Sequence, residues 1–279
     1  MTFMENLNHA YPKMSEAARK IADYMMQNPE NIIHCTISQL GDLCGVSEAT
    51  IVRFSKALGY DGFNEMKIYM ASEMIPSNYW IQEDVEDTDT ADVLVKKVMS
   101  SQMKALQNTM RNLNVASFER AVDSIASANR VELYASGNSK HMISDANYRF
   151  LCIGIPSYVP YDTANALMQS AMLNPQDVAI GVSISGSSKG TVLALENAKS
   201  VGATTICVTG YPKSPITKAA DICLIAEAGD AMFREGSITS RIAHNSVLDA
   251  LYIGVGMRRG DYSKEHIKES NKLMANEKY

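Results

Sequence analysis

The chain has 279 residues, 46% of them hydrophobic and 20% charged, with a formal net charge of −5. That length leaves room for two domains, and that balance supports buried cores and excludes a disordered chain. No apolar run reaches the ~20 residues of a membrane-spanning helix. Glu5, His9 and Pro12 stand where a signal peptide would be apolar, so the expectation is a cytoplasmic protein with no membrane partner. Cys35, Cys44, Cys152, Cys207 and Cys223 form no C-x-x-C pair, and the histidines form no H-x-x-x-H pair. The thiols therefore read as buried and reduced, and neither a metal nor a cofactor is expected. The acidic balance counts against nucleic acid, because neutralising phosphates needs Lys and Arg. Lys13, Arg19, Lys20, Arg53, Lys56 and Lys67 do not outnumber the acids of the first 75 residues. A case for DNA must rest on local pattern.

In chain order, the segment to about Ile75 is helical in pattern. Met14-Ser15-Glu16 opens a helix whose stripe runs Ala18, Ile21, Ala22 and Met25, at i, i+3, i+4 and i+7. Asn28-Pro29 ends it, since the residue before a proline is pushed out of the α region. A second helix spans about Ile37 to Cys44, with Gly45 where a left-handed residue is needed. A third runs from Ser47 to Leu58 and stops at Gly59; a fourth follows Asp61-Gly62 from about Phe63 to Glu73.

Two short helices joined by a Gly-containing tight turn make a helix-turn-helix. Val46 plugs the angle, Ser47 is a favoured N-cap, and Ile51, Phe54 and Leu58 form the buried stripe of the second helix. Glu48, Ala49, Arg53 and Lys56 are left facing outward. The first residues of such a helix reach base edges in the major groove, which makes Ser47, Glu48, Ala49, Thr50, Arg53 and Lys56 the candidate DNA-binding set. Arg53 would contact a base or a phosphate, its planar fork matching guanine; the alternative is a solvated arginine. Glu48 either accepts from a cytosine amine or caps a helix end. Ser47 and Thr50 fit phosphate contact or capping better than base reading.

The run Gly45-Val46-Ser47-Glu48-Ala49-Thr50-Ile51-Val52-Arg53-Phe54, followed by Leu58-Gly59-Tyr60-Asp61-Gly62-Phe63, resembles the helix-turn-helix domain of the RpiR (MurR-like) family of bacterial regulators. The resemblance covers nearly the whole N-terminal segment and implies operator DNA as a partner.

Pro76-Ser77-Asn78 breaks the helical pattern. The acids Glu83, Asp84, Glu86, Asp87, Asp89 and Asp92 read as a solvated linker and helix start. A long amphipathic helix, about Ala91 to Leu113, carries Val95, Val98, Met99, Met103, Leu106 and Met110, a stripe suited to core or subunit packing. From about Ser117, short apolar runs alternate with helical patterns: Val131–Ala135, Ser157–Pro160, Val178–Ser183, Thr205–Val208 and Ile222–Ala226. Strands separated by helices imply parallel βαβ units in a mostly parallel sheet covered on both faces.

Two Ser/Gly-rich loops follow strands and lead into helices. Ser136-Gly137-Asn138-Ser139 is the first, and Ser183-Ile184-Ser185-Gly186-Ser187-Ser188-Lys189 is the second. Each offers backbone N–H groups, hydroxyls and a helix N-terminus at the carboxyl end of a strand, where open parallel sheets bind anionic ligands. Neither is a Walker A loop, and neither carries G-x-G-x-x-G. The region from about Ala116 to Arg258 resembles a sugar isomerase (SIS) domain, most specifically in the second loop, with Glu235-Gly236-Ser237-Ile238-Thr239-Ser240-Arg241-Ile242-Ala243 and Asp249 in support. The resemblance implies that Ser185, Ser187 and Ser188 hold a phosphate and that Ser136 and Ser139 close the sugar side. Gly137, Asn138, Ser183, Gly186 and Glu235 complete the candidate sugar-phosphate set. Asn138 and Gly190 depart from the family pattern, which has a glycine and an acid there.

Glu235 and His244 have the chemistry of an isomerase, a base to move a proton between carbons and a group to open the ring. Equally, Glu235 binds a sugar hydroxyl or caps a helix, and His244 packs against a neighbour. The attached DNA-binding module favours binding over catalysis, so no catalytic residue is assigned. The expectation is an all-α helix-turn-helix domain (1–76), an acidic linker and connecting helix (77–114), an SIS-like α/β domain (115–260) and a C-terminal tail (261–279). It would act as a homodimer or homotetramer that responds to a phosphorylated sugar effector.

Overall fold

The computed structural model describes residues 3–32, 35–74, 85–226 and 238–275. They fall into two compact units, one ending at Thr90 and one beginning at Ala91.

The first unit is helical. Its elements are α1 (Phe3–Ala10), α2 (Glu16–Gln27), α3 (Pro29–Ile32), α4 (Ile37–Cys44), α5 (Glu48–Ala57) and α6 (Phe63–Met74). Local chemistry marks the boundaries. Ser15 caps α2 by accepting from Ala18 N, and Thr36 and Gln39 form a reciprocal capping box at α4. Ile21 and Met25 of α2, Leu40 of α4, Ile51 and Phe54 of α5 and Met66 and Met70 of α6 converge on one buried cluster. The helix α1 precedes those singled out from the sequence. It adds Phe3 and Leu7 to that cluster, and Asn6 donates to the Leu58 carbonyl at 2.9 Å.

The second unit opens with α7 (Ala91–Asn112) and α8 (Val115–Ser127) and is built on β1 (Val131–Ala135), β2 (Ser157–Tyr158), β3 (Val178–Val182), β4 (Thr204–Thr209) and β5 (Ile222–Ile225). All pairings are parallel, in the order β2-β1-β3-β4-β5. The connecting helices are α9 (Ser139–Cys152), α10 (Thr163–Ser170), α11 (Lys189–Ser200) and α12 (Pro215–Ala219). After β5 come α13 (Ile238–Arg259) and α14 (Asp261–Ala275), the latter within the stretch read from sequence as a tail.

Alternation along the strands divides the core into two layers. Leu133, Val178, Ile180, Val182, Ile206, Val208 and Leu224 face α8, α9 and α13. Tyr134, Ala179 and Cys207 face α10, α11 and α12. Glu132 interrupts the apolar run of β1 yet is 2% exposed; the Tyr134 hydroxyl donates to it at 2.5 Å and Arg130 lies 3.6 Å away. Burial and this acid push the Tyr134 phenol well above its ordinary pKa.

The α7 stripe departs from a core role within the chain. Ala105 and Thr109 are its buried residues, whereas Val95, Met99, Met103 and Met110 are 55–75% exposed. Among the described residues no helix is long and apolar enough to cross a membrane.

Candidate functional site

The first candidate surface is the N-terminal half of α5. Gly45 at the end of α4 has φ 64°, the left-handed conformation that reverses the chain. Gly41 is required by close approach, since a Cβ there would stand 2.9 Å from the Val46 carbonyl oxygen. Val46 packs against the helical core as the plug of the angle. Ser47 caps α5: its Oγ accepts from Thr50 N at 3.3 Å and lies 2.9 Å from Thr50 Oγ1. Arg53 Nη2 donates to the same Thr50 hydroxyl at 3.3 Å. Ser47, Thr50 and Arg53 thus run along one ridge at i, i+3 and i+6. Of the two roles open to Ser47, capping is visible, and Thr50 is the residue whose N–H it caps. Ser47, Ala49, Arg53 and Lys56 are exposed, Glu48 and Thr50 half-buried.

The second candidate site lies at the carboxyl edge of the sheet. In the order β2-β1-β3-β4-β5 the chain reverses its direction of travel between β1 and β3, and α9 and α11 leave on opposite faces of the sheet. Such a switch point opens a crevice at the strand ends. Both serine loops fall there, after β1 and after β3. The helices they enter lack side-chain caps. Asn138 makes no cap bond at α9, and neither does Ser188 at α11, where its hydroxyl instead lies 3.0 Å from Ser183 Oγ. By contrast Asn114 caps α8 and Asp162 caps α10. Leaving the leading N–H groups without a side-chain acceptor suits an anion.

The second loop is tightly braced. Gly186 has φ 65°, and a Cβ there would overlap Ser214, so no other residue fits without movement. Its carbonyl accepts from Ile216 N at 2.9 Å, and the Ile184 carbonyl accepts from Gly210 N at 3.1 Å. Within the loop, Ser187 N donates to Ser185 Oγ at 3.3 Å. Ser185, Ser187 and Ser188 are half-buried, while Ser183 is 1% exposed and Ser139 7%. Those last two are structural in position rather than open to a ligand. Gly137 and Asn138 are exposed; Glu235 lies outside the described residues.

Beside these loops is a shallow depression lined by Ser136, Lys140, Asp162, Thr163, Gly190 and Thr191, with Tyr134, Ile143, Pro160 and Ala166. Ser136 is the one sequence-assigned residue in its wall. Ser136 Oγ lies 3.4 Å from Thr191 Oγ1, which joins the first loop to the first turn of α11. Lys140 donates to the Tyr161 carbonyl at 3.2 Å. Hydrogen bonds from the backbone and side chain of Asn165 hold the Asp162 carboxyl below the usual carboxylate range. Gly190, where the family pattern has an acid, has its missing Cβ direction occupied by Thr163 Cγ2 at 2.8 Å.

Sequence reasoning missed Lys140, Asp162, Thr163 and Thr191. The available signal was Asp162-Thr163-Ala164-Asn165, a helix start at the end of another strand. His244 is elsewhere: it is fully buried on α13, with Nδ1 2.7 Å from the Ser240 carbonyl, and does not line the depression.

Comparison with known proteins agrees with both halves. Residues 1–77 match the helix-turn-helix domain of the RpiR family, and residues 124–254 match the SIS domain. An uncharacterised HTH-type transcriptional regulator of Caldanaerobacter subterraneus is 33% identical over 256 residues, covering 92% of this chain and 91% of that protein. One from Clostridium perfringens is 30% identical over 261 residues, covering 91% and 92%. Among solved structures, the Vibrio vulnificus NanR protein complexed with ManNAc-6P shares the fold with a TM-score of 0.83 at 22% identity, covering 99% of this chain and 98% of that one. With one-third identity to such a regulator along nearly its whole length, and with a capped recognition helix and an SIS sheet in its two units, this chain belongs to the RpiR family of helix-turn-helix transcriptional regulators.

Proposed function

We propose that this regulator's affinity for its operator is set by a phosphorylated sugar or amino sugar held at the carboxyl edge of the SIS sheet. The observation that carries the reading is the pair of long helices, α9 and α11, that start without side-chain caps at the switch point between β1 and β3. A phosphate there would accept from backbone N–H groups and from Ser185, Ser187 and Ser188, and the sugar would extend toward Ser136, Thr163 and Thr191. Lys140 and Asp162 supply a donor and an acceptor for sugar hydroxyls. Contacts from Ser47, Glu48, Ala49, Thr50, Arg53 and Lys56 would hold the DNA, with Arg53 the base or phosphate reader. The chain would act as a homodimer or homotetramer, since closed symmetric assemblies match pseudo-palindromic operators; the exposed α7 stripe suits a subunit contact.

The rival is a sugar-phosphate isomerase with a helical appendage. The named relatives are transcriptional regulators, and His244 is buried away from the depression. Both favour ligand sensing without turnover; the proposed location of the regulator is the cytoplasm.

The test is a thermal-shift screen across sugar phosphates that includes ManNAc-6P, followed by operator binding by fluorescence anisotropy. A ligand at ~100 times its Kd stabilises by roughly 2.7 kcal/mol. Losing one hydroxyl bond to a charged ligand costs about 1.5–3 kcal/mol, so Ser185→Ala with Ser187→Ala should abolish the response while effector-free operator binding persists. A double variant that responds at the wild-type ligand concentration would move the phosphate elsewhere. Ketose–aldose turnover that is lost in Glu235→Gln while binding survives would favour the isomerase.

A further inference from the structure

We propose that Cys207 and Cys223 form a thiol-oxidation site that closes to a disulfide across β4 and β5 when a peroxide reaches Cys223. The register pairs these two residues directly. Residues in register on parallel strands point to the same face, and the burial pattern agrees: Ile206, Val208, Ile222 and Leu224 fill one layer, while Cys207 and Cys223 both pack in the other. Neighbouring strands lie about 4.8 Å apart, inside the ~4.4–6.8 Å between Cα atoms that a disulfide spans. The Cβ atoms of such a pair must draw slightly closer than the sheet holds them, which makes the bond readily reducible, as regulatory disulfides are.

The two thiols differ in access. Cys207 is fully buried in a central strand, whereas Cys223 is half-buried on the edge strand, its Sγ 3.6 Å from the Thr217 carbonyl oxygen. Lys199 stands over this corner, paired with Asp221 at 2.8 Å. The neighbouring Cys207 thiol, helped by the Lys199 ammonium against burial and Asp221, lowers the Cys223 thiol below its ordinary value; its neighbour and burial raise Cys207. Cys223 is therefore the attacking thiolate and Cys207 the resolving thiol.

The chemistry balances with peroxide as the oxidant. The Cys223 sulfur attacks one peroxide oxygen, the O–O bond breaks and hydroxide leaves, giving a sulfenic acid. The Cys207 sulfur then attacks the Cys223 sulfur. The S–S bond forms, the S–O bond breaks, and the hydroxyl departs with the Cys207 proton as water. The two thiols lose two electrons, and the peroxide and the two thiol protons become two waters.

The test uses the reduced full-length protein with hydrogen peroxide, followed by intact mass and peptide mapping over time. The expected result is the loss of two hydrogen atoms, reversed by dithiothreitol, with the peptides of Cys207 and Cys223 linked. In Cys207→Ser the link disappears and dimedone traps a sulfenic acid at Cys223. Unlinked Cys223 advancing to sulfinic acid in the wild type would overturn the proposal. So would oxidation at Cys44 or Cys152 ahead of Cys223. The wild-type time course decides even if the variant fails to fold.

Discussion

Arg53 is exposed on α5 and steadied by the Thr50 hydroxyl, which itself meets the Ser47 cap. If it pairs with a base, Arg53→Ala should remove about 1–3 kcal/mol of discrimination at that position. If it touches phosphate, binding should weaken evenly across sequences and the salt slope should fall. Anisotropy titrations at several salt concentrations separate the two, and an unchanged affinity and slope would dismiss α5 as the reading helix. His244 supports a different expectation. Burial drives its pKa down to about 4, against the raising effect of its bond to the Ser240 carbonyl. The unfolded imidazole titrates near 6.5, so between those values the unfolded chain binds more protons and stability rises with pH. The contribution is whole above about pH 6.5 and is lost as pH falls toward 4, by up to roughly 3 kcal/mol. Melting curves over this window should flatten by one proton's worth in His244→Gln; parallel profiles would assign the slope to other groups.

Among the described elements, α7 carries an apolar stripe that the chain leaves uncovered. Its buried residues are Ala105 and Thr109, while Val95, Met99, Met103 and Met110 stay exposed along one stripe. Water-facing methionines at this spacing suit a second copy of the same helix face. In the proposed homodimer or homotetramer, Met99→Glu with Met103→Glu should halve the assembly or reduce it to protomers in light scattering. The fold should survive, because exposed substitutions usually change stability by less than about 0.5 kcal/mol. An unchanged mass would clear α7 of the role. The loop after β3 is the opposite kind of element: Gly186, Ile184 and Ser183 are held by α12, by the end of β4 and by Ser188. That bracing pre-organises its serines.

For the molecule as a whole, control of DNA by a ligand is a linkage between two sites. A sugar phosphate shifts operator affinity only by its unequal affinity for the two conformations. Under the proposed control, whatever factor the effector imposes on operator binding, the operator must impose on effector binding, within the usual 5–150-fold. Calorimetric titration of the effector with and without saturating operator DNA measures both sides. Unequal factors would rule out a simple two-state coupling.

Much of this architecture is readable in short stretches of chain. Ser15, Ser47 and Gly45 announce helix ends because caps and left-handed turns depend on residues within about four positions. The five strand runs and both serine loops are legible for the same reason: alternation and loop composition are local. Glu132 is buried in β1 beside Tyr134 and Arg130, each two positions away along the chain, but that Arg130 also reaches Asp177, 3.6 Å away and far off in sequence, is decided by folding. The meeting of Ser136 with Thr191, and of Gly190 with Thr163, joins segments far apart in sequence. Those meetings, the pairing of Cys207 with Cys223 and the exposure of the α7 stripe follow from the strand order and from which helix covers which face. Periodicity says that a segment has an apolar side; the assembled sheet decides what, if anything, that side touches.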